Sequence, residues 1–232
     1  MRVLRGRAET IDADRAVTQT VLEDTRETGE SVIRVWTPHR QIAFGRRDAN
    51  TEGYGRATHA ANEHGFPAYE RSVGGRAVAY TGETIAFART EPLEEIRRGM
   101  QDRYSAAVTD LQVALMQLDV HASPGEPANS FCPGSHSLQA GGKIVGVAQR
   151  VQRGVALVAG IVVVRDHTAI AAVLSDVYAA LGVPFDPDSV GSIGRAGGDS
   201  DPERAQREIE QALVGLGSDE NDKYNVEYVR QD

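Results

Sequence analysis

The run VALVAGIVVV, from Val155 to Val164, constrains this chain more than any other stretch. It is apolar throughout with no alternation, so neither of its faces can be left in water. It is also far too short for a bilayer, which takes about 20 apolar residues. Such a run reads as the central strand of a sheet that is covered on both sides. The rest of the chain must supply its neighbours and the helices above and below.

Those elements are legible in outline. Ala16, Val17, Thr20 and Val21 recur at helical spacing over Asp12 to about Asp24, with Asp12 as the expected cap. SVIRVWT (Ser31 to Thr37) and QIAFG (Gln41 to Gly45) are β-rich runs joined by a Pro-containing turn and are expected to pair as a hairpin. A second helix is expected over Glu52 to Glu63, then a strand over Pro67 to Val73, and a glycine turn with further strands over Gly74 to Ala88. Val108, Leu111, Leu115 and Leu118 predict the longest helix, between about Leu93 and Leu118, opening on the acidic PLEE.

A Pro- and Gly-rich break follows from Ala122 to Gly134, then a tight hairpin over Ser137 to Val151 through Gly141 and Gly142. Ile170, Val173, Leu174, Val177 and Leu181 mark a helix stopped by Gly182 and Pro184. Several strands without a regular βαβ rhythm predict an α+β fold, with helices packed on mixed, mostly antiparallel sheets. Residues 1–186 are expected to form one domain. Residues 187–232 read as a polar C-terminal extension with one short helix near Pro202 to Leu213 and a charged tail that frays after about Gly217.

Composition excludes several classes. With 33 acidic against 25 basic residues and a net charge of −8, nucleic acid is not the expected partner. No stretch reads as a membrane span, and the N-terminus MRVLRGRAETIDADR has no apolar core of a secretion signal. One cysteine, Cys132, excludes an intrachain disulfide and fits a reducing cytoplasm. His64, His121, His136 and His167 show no metal-ligand spacing, and no GxxxxGK[ST] phosphate loop occurs.

Three stretches carry possible chemistry. In RSVGGRAVAY (Arg71 to Tyr80) paired glycines let a ligand approach the backbone while flanking arginines hold an anion; a plain hairpin turn explains the same residues. Cys132 lies in NSFCPGSH, a Pro/Gly loop that would leave a thiol accessible as a nucleophile; an incidental surface thiol or a buried small residue is the plainer reading. His136 is a possible base to it. In GGKIVGVAQR the lysine Lys143 sits among small residues, in a chain with only one other lysine, Lys223. An ammonium close to Cys132 would favour the thiolate and stabilise charge on an acyl oxygen; a solvated hairpin lysine is the plainer alternative.

Taken in order, these stretches resemble the biotin and lipoate protein ligase superfamily, in its lipoate/octanoate branch. Members carry a glycine turn of the RR-x-x-GGR/GAV type, then a lysine strand of the GKK-x-x-G-x-AQR type; here the counterparts are RSVGGRAVAY and GGKIVGVAQR. IAFGRRDAN is similar to the family's strand and Gly-Arg turn upstream, and the likeness covers roughly Ile33 to Val164. FCPGSHSLQAGGKIVG looks most like the cysteine-dependent octanoyl or lipoyl transferases that draw on the glycine-cleavage H protein.

The resemblance implies the ligase catalytic-domain fold. It implies an acyltransferase that takes an octanoyl or lipoyl group from a carrier onto Cys132 and passes it to a lysine of a 2-oxoacid dehydrogenase lipoyl domain. Lys143 would hold the acyl carbonyl, and Arg71, Gly74, Gly75, Arg76, Ala77, Gly146 and Ala148 would line the acyl channel. No cofactor or metal is expected for that reaction. The alternative is an ATP-dependent lipoate-protein ligase subunit lacking its accessory domain, which would need ATP and Mg and leave Cys132 a bystander.

Overall fold

A computed structural model describes residues 1–71, 75–95, 99–215 and 224–230. In chain order the elements are β1 (Arg2–Arg5), α1 (Ile11–Thr28), β2 (Val32–Trp36), β3 (Gln41–Phe44), α2 (Arg46–Ala49), α3 (Tyr54–Glu63), β4 (Ala68–Glu70), β5 (Val78–Tyr80) and β6 (Ile85–Pro92). They continue with α4 (Met100–Gln117), β7 (Ser123–Pro124), β8 (Ser137–Gln139), β9 (Lys143–Gln152), β10 (Val155–Val162), α5 (His167–Leu181), α6 (Pro202–Val214) and β11 (Asn225–Tyr228). The fold is α+β, with mixed and mostly antiparallel sheets.

The apolar run becomes β10, at the centre of an eight-stranded sheet ordered β11-β1-β2-β6-β10-β9-β8-β7. Its alternate residues explain why it shows no polar face. Val158 and Val162 enter the core made with α4 and α6, whereas Ile161 joins the core beneath α5 and Leu157 packs with Leu22 of α1. Gly160 lets β10 lie close to its neighbours, because a Cβ there would meet the Gly146 carbonyl and the Phe87 ring. A three-stranded sheet, β4-β3-β5, forms a second layer with α3 and α5.

Several expectations are corrected. The runs over Ser31 to Thr37 and Gln41 to Gly45 do not form a hairpin: β2 pairs with β1 and β6 in the large sheet, and β3 with β4 and β5 in the small one. Every residue of β3 is buried, which a two-stranded hairpin with one wet face cannot provide. Thr10, not Asp12, caps α1 by accepting from the Ala13 N–H. The helix expected from Leu93 starts only at Met100, behind Gly99 at φ 70°, because Leu93 stays extended and donates to Gly154; at 18 residues it equals α1.

The described residues beyond 186 pack against the rest of the chain. Gly191 donates to the Lys143 carbonyl, Ile193 to that of Val163, and α6 lies against α4. Asn225–Tyr228, in the tail expected to fray, is instead the edge strand β11, parallel to β1. No helix among the described residues is long and apolar enough to cross a membrane.

Gly160→Ala should destabilise the protein by about 1–3 kcal/mol through overpacking against backbone and Phe87. Urea denaturation checks this; a wild-type midpoint would contradict the close approach described for β10.

Candidate active site

Three segments meet beside the small sheet: the turn from β4 into β5, the loop before β8, and the first residue of β9. Gly75 takes a φ of 94°, and a Cβ there would sit 2.9 Å from Arg71 Nη2 and 3.0 Å from Cys132 Sγ. Behind this turn Gly45 abuts the Gly75 carbonyl so closely that any side chain at residue 45 would collide with it. Asp48, fully buried in α2, accepts from the Gly45 N–H at 3.2 Å and from Arg76 Nη1 at 3.0 Å. The glycine turn is thus fastened from behind.

Cys132 is half-buried, in a loop where two non-glycine residues, Asn129 at φ 54° and Cys132 at φ 40°, adopt left-handed conformations. Each costs about 1–3 kcal/mol and persists only if its surroundings enforce it. Tyr178 and Lys143 do so. The Cys132 N–H donates to the Tyr178 hydroxyl at 2.7 Å, which in turn donates to the Ala77 carbonyl at 3.1 Å. Burial pushes the Tyr178 pKa up, so its hydroxyl keeps the proton that the second bond needs.

Lys143 is 1% exposed, and its ammonium donates to Glu126 Oε2 at 2.8 Å, to the Cys132 carbonyl at 2.9 Å and to the Phe131 carbonyl at 3.0 Å. Glu126 also accepts from Ser137 Oγ at 2.8 Å and from the Gly134 N–H at 2.9 Å. Burial alone would raise the Glu126 pKa; the bonds from Lys143, Ser137 and Gly134 carry it below the ordinary carboxylate value.

Lys143 therefore holds the backbone around Cys132. Among the described residues the cation in contact with the sulfur is Arg71, whose Nη2 lies 3.4 Å from Sγ and 2.6 Å from the Arg76 carbonyl. Burial works against that guanidinium's charge, but Cys132, followed by Tyr80, faces it and holds its pKa above the ordinary value.

The remaining sequence candidates separate. Gly74 lies outside the described residues. Gly146 leaves room for Lys143, whose Cε would be 3.3 Å from a Cβ there, and Ala148 lies exposed two residues further along the same strand. Arg76 is tied to Asp48, and Ala77 is fully buried, meeting the site only through its carbonyl. The His136 ring stacks on Tyr104 at 3.7 Å between centroids. Among the described residues no group of three or more His, Cys, Asp or Glu is placed to hold a metal.

Sequence reasoning missed Glu126 and Tyr178. Glu126 sits in a Pro/Gly loop with no spacing pattern. Tyr178 does leave a trace, as the one hydroxyl in the buried stripe of α5, and a buried tyrosine needs a hydrogen-bond partner.

The lipoyl protein ligase A/B catalytic domain matches residues 11–213. An octanoyl-GcvH:protein N-octanoyltransferase of Exiguobacterium sp. is 29% identical over 70% of this chain and 58% of its own length. One from Kyrpidia tusciae is 31% identical over 56% of this chain and 45% of its own. The chain thus spans about half the length of the curated relatives it matches. A crystal structure of lipoate-protein ligase A bound with ATP superposes with a TM-score of 0.75 at 15% identity, covering 99% of this chain and 89% of that one, a likeness of fold.

Tyr178→Phe leaves the Cys132 N–H without its acceptor and should cost about 1–3 kcal/mol. Thermal or urea melts check this, and unchanged stability would contradict the tether. The Glu126 carboxyl, with its folded pKa below the unfolded value of 4.5, contributes stability that is complete above pH 4.5 and lost as pH falls through the folded value. The urea midpoint of Glu126→Gln should therefore trail wild type at pH 7 and converge on it in acid.

Proposed function

We propose a protein N-acyltransferase function from this premise: the chain belongs to the family of lipoyl protein ligase A/B catalytic domains. The group moved is octanoyl or lipoyl, the donor is an acylated carrier such as the glycine-cleavage H protein, and the acceptor is a lysine of a lipoyl domain. The observation that carries this reading is the half-buried Cys132 sulfur facing the Arg71 guanidinium at 3.4 Å, at the point where the three motif stretches meet. The names of the octanoyltransferase relatives support the same chemistry.

In the first step the Cys132 sulfur bonds to the acyl carbonyl carbon of the donor. The bond from that carbon to the donor lysine nitrogen breaks, and the nitrogen leaves as an amine after taking the thiol proton. In the second step the acceptor lysine amine attacks the thioester, the carbon–sulfur bond breaks, and a proton from the amine returns to sulfur. Storing the acyl group on Cys132 means that two carrier domains never occupy the site together. No cofactor enters either step, and the setting is a reducing, cytoplasmic one in which the thiol stays free.

Incubation with octanoyl-loaded H protein should add one octanoyl mass to this protein, removable by hydroxylamine and absent from Cys132→Ser. Transfer to an apo lipoyl domain should proceed without ATP. Transfer that requires ATP and Mg and survives Cys132→Ser would replace this reading with the ligase.

A further inference from the structure

We propose that Tyr178 is a positioning residue for acyl transfer: its one hydroxyl binds the backbone of the cysteine loop to the backbone of the glycine turn and so aims the Cys132 sulfur. The role rests on the acyl-transfer reading above. It adds a residue from a helix that none of the three motif stretches contains.

Packing does not explain the hydroxyl. The buried stripe of α5 is otherwise Ile170, Val173, Leu174, Val177 and Leu181, and Tyr178 lies 0% exposed among them. Its ring packs against Phe185 at 5.0 Å between centroids, in a core that includes Phe131, the residue before the cysteine. A phenylalanine would fill that space with no buried polar atom to satisfy.

The oxygen instead accepts from the Cys132 N–H at 2.7 Å and donates to the Ala77 carbonyl at 3.1 Å. An amide N–H can only donate and a carbonyl can only accept, so the single phenolic proton is committed to Ala77. Burial keeps that proton in place. Tyr178 therefore has none to give to the sulfur or to an acyl oxygen, and its part is to hold rather than to react.

What it holds is the reacting residue. Cys132 stands at φ 40°, a conformation that persists only under restraint. There its sulfur lies against Gly75, where a Cβ would come within 3.0 Å of it, and Ala77 continues the same turn towards β5. The stretch after α5 repeats the pattern: the Asp186 N–H donates at 2.9 Å to the carbonyl of Asn129, the loop's other left-handed residue at φ 54°. The C-terminal end of α5 is thus a platform that fixes both left-handed residues of the loop. Removing the Tyr178 oxygen takes the acceptor from the Cys132 N–H and a restraint from its φ, and the sulfur no longer keeps a fixed height above the turn.

Tyr178→Phe in the full chain removes the oxygen and keeps the ring. Alkylation of Cys132 by iodoacetamide follows the thiolate and its exposure, not its aim, and should stay within about twofold of wild type. Single-turnover formation of the hydroxylamine-labile adduct from octanoyl-loaded H protein depends on aim, and its maximal rate should fall about tenfold or more. Release of the octanoyl group to an apo lipoyl domain should fall by a similar factor, because both steps use the same sulfur position. The H-protein concentration at half-maximal rate should not change, since the hydroxyl is buried away from any carrier. A residue that served stability alone would leave every one of these rates at its wild-type value below the melting temperature.

A second measurement needs no variant. Cys132 is the only cysteine, so isotopic labelling of cysteine nitrogen gives one backbone amide signal by NMR. That amide should exchange slowly with solvent in the free protein and equally slowly in the octanoyl thioester. Adduct formation at the wild-type rate by folded Tyr178→Phe overturns the proposal. So does an equal loss of alkylation and acylation, which would place the effect on the reactivity of the thiol. If Tyr178→Phe does not fold, the amide decides: fast exchange in the free protein, or protection lost on octanoylation, overturns the tether. A wild-type protein that forms no octanoyl adduct refutes the acyl-transfer reading itself, a failure that the behaviour of Tyr178→Phe cannot imitate.

Discussion

A buried ammonium with three protein acceptors organises this site. Lys143 enters the interior at the first residue of β9, where Gly142 packs against Gly191 and the Lys143 carbonyl accepts from the Gly191 N–H. The strand is thereby fixed before its side chain does anything. A lysine so buried needs a counter-charge, and Glu126 provides it from the loop that carries the cysteine. The same ion pair that makes burial of the charge tolerable also fixes the position of Cys132.

Close backbone approaches complete the frame on the other side. Gly45 against Gly75, with Asp48 gripping Arg76, holds the glycine turn at a fixed distance from the cysteine loop. Tyr178, rising from α5, joins that turn to the loop through Ala77 and the Cys132 N–H. Arg71 then spans the gap, with one nitrogen shared between the turn and the sulfur. Three parts of the fold, namely β9 in the large sheet, the residue that follows β4 in the small sheet and α5, each contribute one contact to Cys132.

Sequence periodicity reveals faces rather than partners, and that explains which parts of the fold were legible. The run at β10, the stripe of α5 with its Gly182 stop, and the glycine hairpin between β8 and β9 are local patterns, and they appear as read. The separation of β2 from β3, and the return of the tail as β11, depend on pairings between residues far apart in the chain, which no window of sequence contains. Within the site, the scarcity of lysine drew attention to Lys143, and the Pro/Gly context drew it to Cys132. Neither signal tells which atom of Cys132 the ammonium touches: the structure places it on the carbonyl and gives the sulfur to Arg71.

The most direct measurement of the account is a crystal structure of the protein trapped during single turnover with octanoyl-loaded H protein. The account requires the octanoyl group bonded to the Cys132 sulfur, with the Cys132 N–H still donating to Tyr178. Octanoyl transfer that proceeds while the Cys132 sulfur stays unmodified would contradict it.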